Sequence, residues 1–119
     1  MIQKNSIIRP ADNCGVIRSK VFHVYKGSKG KLAFIGDFLK TSAKIVKPEN
    51  PIKKKTKLRA ILIRTVFLIN RRDGSSLSFN RNALVLLKKR LTPRGKSIRG
   101  PIIRNIKRKK FISSFSKSI

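Results

Sequence analysis

Lys53, Lys54 and Lys55, with Lys57 two residues on, form the densest cationic run in the first half of the chain. Side chains of this type at this spacing neutralise closely spaced phosphates and release the counterions condensed on them. Further cations extend the pattern. Lys40 and Lys44 fall on alternate positions of an apolar run and so share a face, Arg64, Arg71, Arg72 and Arg81 surround an Asp73-Gly74 turn, and Arg94, Arg99, Arg104 and Arg108 continue towards the C-terminus.

Other chemistries find little support. The four acidic residues sit at punctuation: Asp12 beside Asn13, Asp37 after Gly36, Glu49 between prolines and Asp73 before Gly74. That is where turn formers sit, whereas acid–base catalysis or metal ligation needs at least two carboxylates to converge. The sole histidine, His23, lies in mid-strand, where a packed or RNA-facing imidazole outweighs a general base. No Gly-x-Ser-x-Gly elbow is present, and the basic glycine loop Lys26 to Lys31 lacks the ending of a phosphate-binding nucleotide loop. The lone Cys14 excludes an internal disulfide and a cysteine-based zinc site. An enzyme is not expected, nor a cofactor.

Charge dominates the composition. Lys and Arg number 31 against 4 Asp and Glu, a net charge of +27. For a folded surface of about 6,500 Å² this is roughly one net positive charge per 240 Å². Neighbouring net charges then lie about 15 Å apart, within two Debye lengths, so the compact state repels itself and a polyanion relieves it. RNA or DNA is the leading partner. A membrane partner is not expected: the longest apolar stretch, Ala60 to Ile69, is interrupted by Arg64 and Thr65. Residues 1–12 read as neither a signal nor a transit peptide.

Hydrophobic alternation supplies the elements that must hold these cations. Ile7 and Ile8 suggest an opening strand ended by Pro10, and Val16 to Tyr25 a second, with Val21, His23 and Tyr25 on one face and Lys20, Phe22 and Val24 on the other. Phe38 to Val46 is a third strand and Leu58 to Val66 a fourth. The strongest local signal is a hairpin from Arg64 to Leu87, whose runs Arg64 to Ile69 and Leu77 to Leu87 flank Asp73-Gly74, a pair suited to a tight type I′ turn. Thr92 to Pro101 is too irregular for helix or strand, and Ile102 to Ile119 matches one or two short amphipathic helices. The expected fold is mainly β: a five-stranded barrel over residues 1–91 with a projecting hairpin, then a loop and short helices over 92–119, in one domain.

Two modes of RNA binding differ in what they ask of the aromatics. Single-strand binders stack bases on outward rings, whereas folded RNA is held through phosphates and shape. Phe22, Phe34, Phe38, Phe67 and Phe79 are embedded among Val, Ile and Leu, which favours a core role. Cations come from nearly every loop, which suits a protein embedded in folded RNA. A free single-stranded RNA or DNA binder is the alternative.

Read together, the motifs form an ordered set: Met1-Ile2-Gln3, Ala11-Asp12-Asn13-Cys14-Gly15, Gly36-Asp37, Lys53-Lys54, Arg64-Thr65, Asp73-Gly74-Ser75, Phe79, Asn82-Ala83, Val85-Leu86-Leu87, then Pro93, Gly95, Ile98, Gly100-Pro101 and Arg104. In this order and spacing the chain strongly resembles large-subunit ribosomal protein fourteen, bacterial branch. The resemblance implies a five-stranded barrel with a projecting ribbon that binds large-subunit rRNA, packs beside other large-subunit proteins and faces small-subunit rRNA across the interface. It also implies a possible docking surface for a ribosome-silencing factor. By position, the Lys53-Lys54 region and Arg64 would face rRNA. The segment from Thr92, including Ile98, Pro101, Arg108, Phe111 and Phe115, would form the protein-contact and bridging end.

Abundant Lys, Ile and Asn point to an AT-rich coding sequence. With no targeting segment expected, the chain reads as an organelle-encoded protein of a mitochondrial ribosome, with a chloroplast or a bacterial cytoplasm as alternatives.

Overall fold

A computed structural model describes residues 2–12, 15–25, 32–48, 54–88, 97–98 and 117–118. Five strands close into a barrel in the order β1 (Ile7–Pro10), β2 (Val16–Val24), β3 (Phe38–Val46), β4 (Lys57–Arg64) and β7 (Ala83–Leu87). Every pairing is antiparallel except β1 with β7, the parallel seam that closes the ring and leaves no open edge.

Branched aliphatics and alanines fill the interior, among them Val21, Val24, Leu39, Ala43, Leu58, Ala60, Leu62, Leu84 and Leu86. Two hydroxyls are buried with them, and each is satisfied across a strand pair: Ser19 Oγ donates to the Ile8 carbonyl (3.2 Å) and Thr41 Oγ1 to that of Leu58 (3.4 Å). Among the described residues, no phenylalanine belongs to this inner core. Phe34 and Phe67 are 46% and 49% exposed, which corrects the core role expected for them, Phe22 and Phe79 are half-buried, and Phe38 is half-buried against a second apolar cluster outside the wall. The interior of a five-stranded barrel is narrow, and small branched side chains fill it before a ring can.

A second apolar cluster lies outside the barrel wall. Ile61, Ile63, Ala83, Val85 and Leu87 turn outwards from β4 and β7 and are covered by Ala11, Ile98 and the half-buried Ile35, Phe38, Ile69 and Leu77. For this reason β7 is buried at all five positions. Ile98 lies in β8 (Ser97–Ile98), which pairs in parallel with β9 (Lys117–Ser118). Ser97-Ile98 is therefore a short strand inside the stretch expected to be irregular. The helices expected over Ile102 to Ile119 lie outside the described residues, apart from Lys117–Ser118, which is strand.

Local irregularities depart from simple alternation. Val21 pairs with Thr41 and His23 with Lys40, so Phe22 is an extra residue in β2; Ile17, Lys44 and Ile63 are extra in the same way. The hairpin read from Arg64 to Leu87 is interrupted. Arg59↔Leu87 through Arg64↔Ala83 form its long base, and a separate ribbon, β5 (Ile69–Asn70) with β6 (Ser76–Leu77), forms its end. Side chains break the ladder between them, since Asn82 Oδ1 accepts the Val66 N–H (2.9 Å) and Thr65 Oγ1 donates to the Phe67 carbonyl (3.3 Å).

The ribbon turn is also not the type I′ form. Gly74 has φ +88° but Asp73 has no positive φ; the Gly74 N–H donates to the Arg71 carbonyl (3.2 Å) and that of Arg71 to the Ser75 carbonyl (2.8 Å). This is the three-residue loop in which a left-handed glycine follows an ordinary turn.

Candidate nucleic-acid interface

Strand register determines which cations meet. On the outer wall, Lys20 of β2 stands opposite Ser42 of β3, which stands opposite Lys57 of β4; the next row is His23, Lys40 and Arg59. Neighbouring strands lie about 4.8 Å apart, and residues two apart along a strand about 6.7 Å. The two rows therefore form a compact grid of donors with no carboxylate, for none of β2, β3 and β4 contains Asp or Glu. Beyond Arg59 the second row meets Leu87, where the covered apolar wall begins.

One end of this face carries further charge. The Lys55 N–H donates to the Ala43 carbonyl (2.7 Å) and the Ala43 N–H to that of Thr56 (3.1 Å), which brings the turn before β4 against the end of β3. Lys55 adopts φ +64°, and Lys44, Lys54, Lys55 and Lys57 are all exposed there. At the other end, His23 and Tyr25 form an edge-to-face pair with ring centroids 4.8 Å apart and an interplanar angle of 86°.

Of the cations singled out in the sequence, Lys40, Lys44, Lys54 and Lys55 thus belong to one continuous surface. Arg64 ends β4, about 23 Å along the strand from Lys57. It is half-buried, and burial holds its guanidinium pKa below the ordinary value. Arg71, Arg72 and Arg81 are exposed on and beside the ribbon, a separate group. Lys53, Arg94, Arg99, Pro101, Arg104, Arg108, Phe111 and Phe115 lie outside the described residues. Ile98 is 1% exposed and bridges to Asp12, so it anchors its segment to the barrel and presents no surface to a neighbour. Lys20 and Arg59 were not expected from the sequence, which pointed to Lys57 only as part of the basic run and to His23 only as a packed or RNA-facing imidazole. The signal was the alternation of Lys57 and Arg59 with buried Leu58 and Ala60.

The base of the ribbon differs in chemistry. Val66, Phe67 and Leu68 are about half exposed, and Phe67 and Leu68, with Phe34 and Ile69, surround a hollow of about 250 Å³ completed by Ile35, Thr65 and Asn70. Among the described residues no charged side chain lines it.

The profile of the family described as Ribosomal protein L14p/L23e matches residues 1–119. The chain belongs to this family. As a ribosomal L14p/L23e protein it is a structural component and not an enzyme, and the family reading made from its ordered motifs stands. A relative, the "Large ribosomal subunit protein uL14m" of Tetrahymena pyriformis, is 45% identical over 119 residues, covering 100% of both chains. Two of the four acids of this chain serve turns: Asp37 Oδ2 accepts the Phe34 N–H (2.6 Å), and Asp73 Oδ1 accepts both the Ser75 N–H (3.0 Å) and hydroxyl (2.6 Å).

Proposed function

We propose that this chain is a structural constituent of the large subunit of a mitochondrial ribosome, holding rRNA on the outer wall of β2, β3 and β4. The observation that carries the reading is the cross-strand grid Lys20–Ser42–Lys57 and His23–Lys40–Arg59. Like charges directly opposite one another destabilise a sheet, so this arrangement favours a partner that brings negative charge. Rigid strands hold the donors at set spacings, and the cost of ordering them is met on folding and not on binding. The 45% full-length likeness to the Tetrahymena protein supports the large-subunit and mitochondrial placement.

Neighbouring large-subunit proteins are the second class of partner. The base of the ribbon, apolar and uncharged among the described residues, fits protein and not phosphate, in a chain that carries cations almost everywhere else. The segment from Thr92 onwards, including Pro101, Arg108, Phe111 and Phe115, is assigned to the intersubunit end facing small-subunit rRNA and to the contact with a silencing factor, both on the family resemblance.

The test is the salt dependence of binding to large-subunit rRNA. Replacing Lys40, Lys57 and Arg59 together with Gln lowers the slope of log K against log salt by about 2 to 3. An unchanged slope contradicts the assignment of this wall.

A further inference from the structure

Phosphate neutralisation leaves one feature of the basic wall unused, the ring pair at its end. The extra residue Phe22 redirects the strand. Uninterrupted alternation would place His23 on the same face as Val21, which is fully buried; instead His23 is exposed, Val24 turns inwards and Tyr25 emerges 42% exposed. An edge-to-face pair covers only one of its ring faces, so open aromatic surface remains. The support is firm, because the Tyr25 N–H donates to the Phe38 carbonyl (3.2 Å) and His23 is in register with Lys40, which is in register with Arg59.

We propose that His23 and Tyr25 form a stacking platform for an unpaired nucleobase of the RNA whose phosphates Lys40 and Arg59 hold. This rests on the RNA-binding reading above. A base and its own phosphate present an aromatic face and an anion within one nucleotide, and the wall offers rings and cations one strand apart. The exposed Phe34 and Phe67 lack that combination, for among the described residues no cation lines the hollow between them.

Tyr25 is the only tyrosine and the chain has no tryptophan, so tyrosine emission from the full chain reports on this ring alone. The probes are a short single-stranded oligoadenylate and an abasic ribose-phosphate oligomer of equal length. Saturating oligoadenylate is expected to quench most of the emission, while the abasic oligomer, bound at the same salt, leaves it in place. Tyr25→Leu should weaken oligoadenylate binding by roughly 5- to 100-fold and leave abasic binding unchanged, and His23→Ala should weaken oligoadenylate binding more than it weakens abasic binding. Equal quenching by both probes, or tight oligoadenylate binding without quenching, overturns the platform and leaves RNA binding by the wall intact. A chain that binds neither probe overturns both.

Discussion

Lys40 and Arg59 stand directly opposite each other on adjacent antiparallel strands of the barrel's outer wall, and His23 continues the row on the next strand. Two cations in such a pair oppose folding by about 0.2 to 1 kcal/mol. Lys40→Gln is therefore expected to raise the melting temperature of the free protein at low salt while reducing the salt slope of rRNA binding by about 1. Calorimetry and filter binding on the same variant check the two halves, and a destabilised variant with unchanged binding would contradict both.

Ile98 joins the C-terminal part of the chain to the barrel. At 1% exposure it packs in the cluster containing Ile61, Ile63, Val85 and Leu87. Truncation to alanine is expected to cost about 2 to 5 kcal/mol, since it removes most of a buried side chain from a wall that cannot collapse far. Denaturant unfolding measures the loss, and limited proteolysis should show earlier cleavage after residue 88.

The ribbon turn carries a pH dependence of known sign. Hydrogen bonds from the Ser75 hydroxyl and N–H, aided by Arg71, hold the Asp73 carboxyl below its ordinary pKa. A depressed pKa contributes stability that is present above the unfolded pKa and is lost as pH falls through the folded one. Acidification below the ordinary carboxylate range should therefore loosen the ribbon before the barrel. Ser75→Ala should return the Asp73 pKa towards its ordinary value in an NMR titration. Gly74→Ala tests the backbone alone: nothing lies within 4 Å of the added methyl, so the φ of +88° sets the cost, about 1 kcal/mol.

Much of this architecture was legible in the sequence. β3 has the expected bounds, Phe38 to Val46, with the expected alternation from Phe38 to Ala43, and Pro10 closes β1 where a missing N–H predicts it. The bulges were not legible, because an extra residue such as Phe22 or Lys44 is defined by the strand opposite and not by its own neighbours. The grid that depends on those registers was hidden with them, and only Lys40 of its inner positions was selected. The hairpin signal at Asp73-Gly74 marked the right turn but not its interruption, where the Thr65 hydroxyl bonds the Phe67 carbonyl two residues on and Asn82 bonds Val66 across the hairpin. The outer cluster stayed unseen because Ile98 meets Ile61 and Val85 only in the folded state.

Phe67 and Leu68 separate folding from assembly. Both are about half exposed at the base of the ribbon, so Phe67→Ser with Leu68→Ser should change the stability of the free protein little, as surface substitutions do, within about 0.5 kcal/mol each. The same variant should be incorporated poorly into large subunits while binding isolated rRNA normally. Normal incorporation would remove this surface from the protein-contact assignment.

The central claim is that the chain is an integral large-subunit protein held by its basic wall. The most direct measurement is sedimentation of the tagged chain from isolated mitochondria through a high-salt sucrose gradient, compared with the Lys40→Gln, Lys57→Gln, Arg59→Gln variant. The wild-type chain should remain in the large-subunit peak and the triple variant should shift towards the top. A wild-type chain found only in the top fractions would contradict the account and leave a free RNA binder in its place.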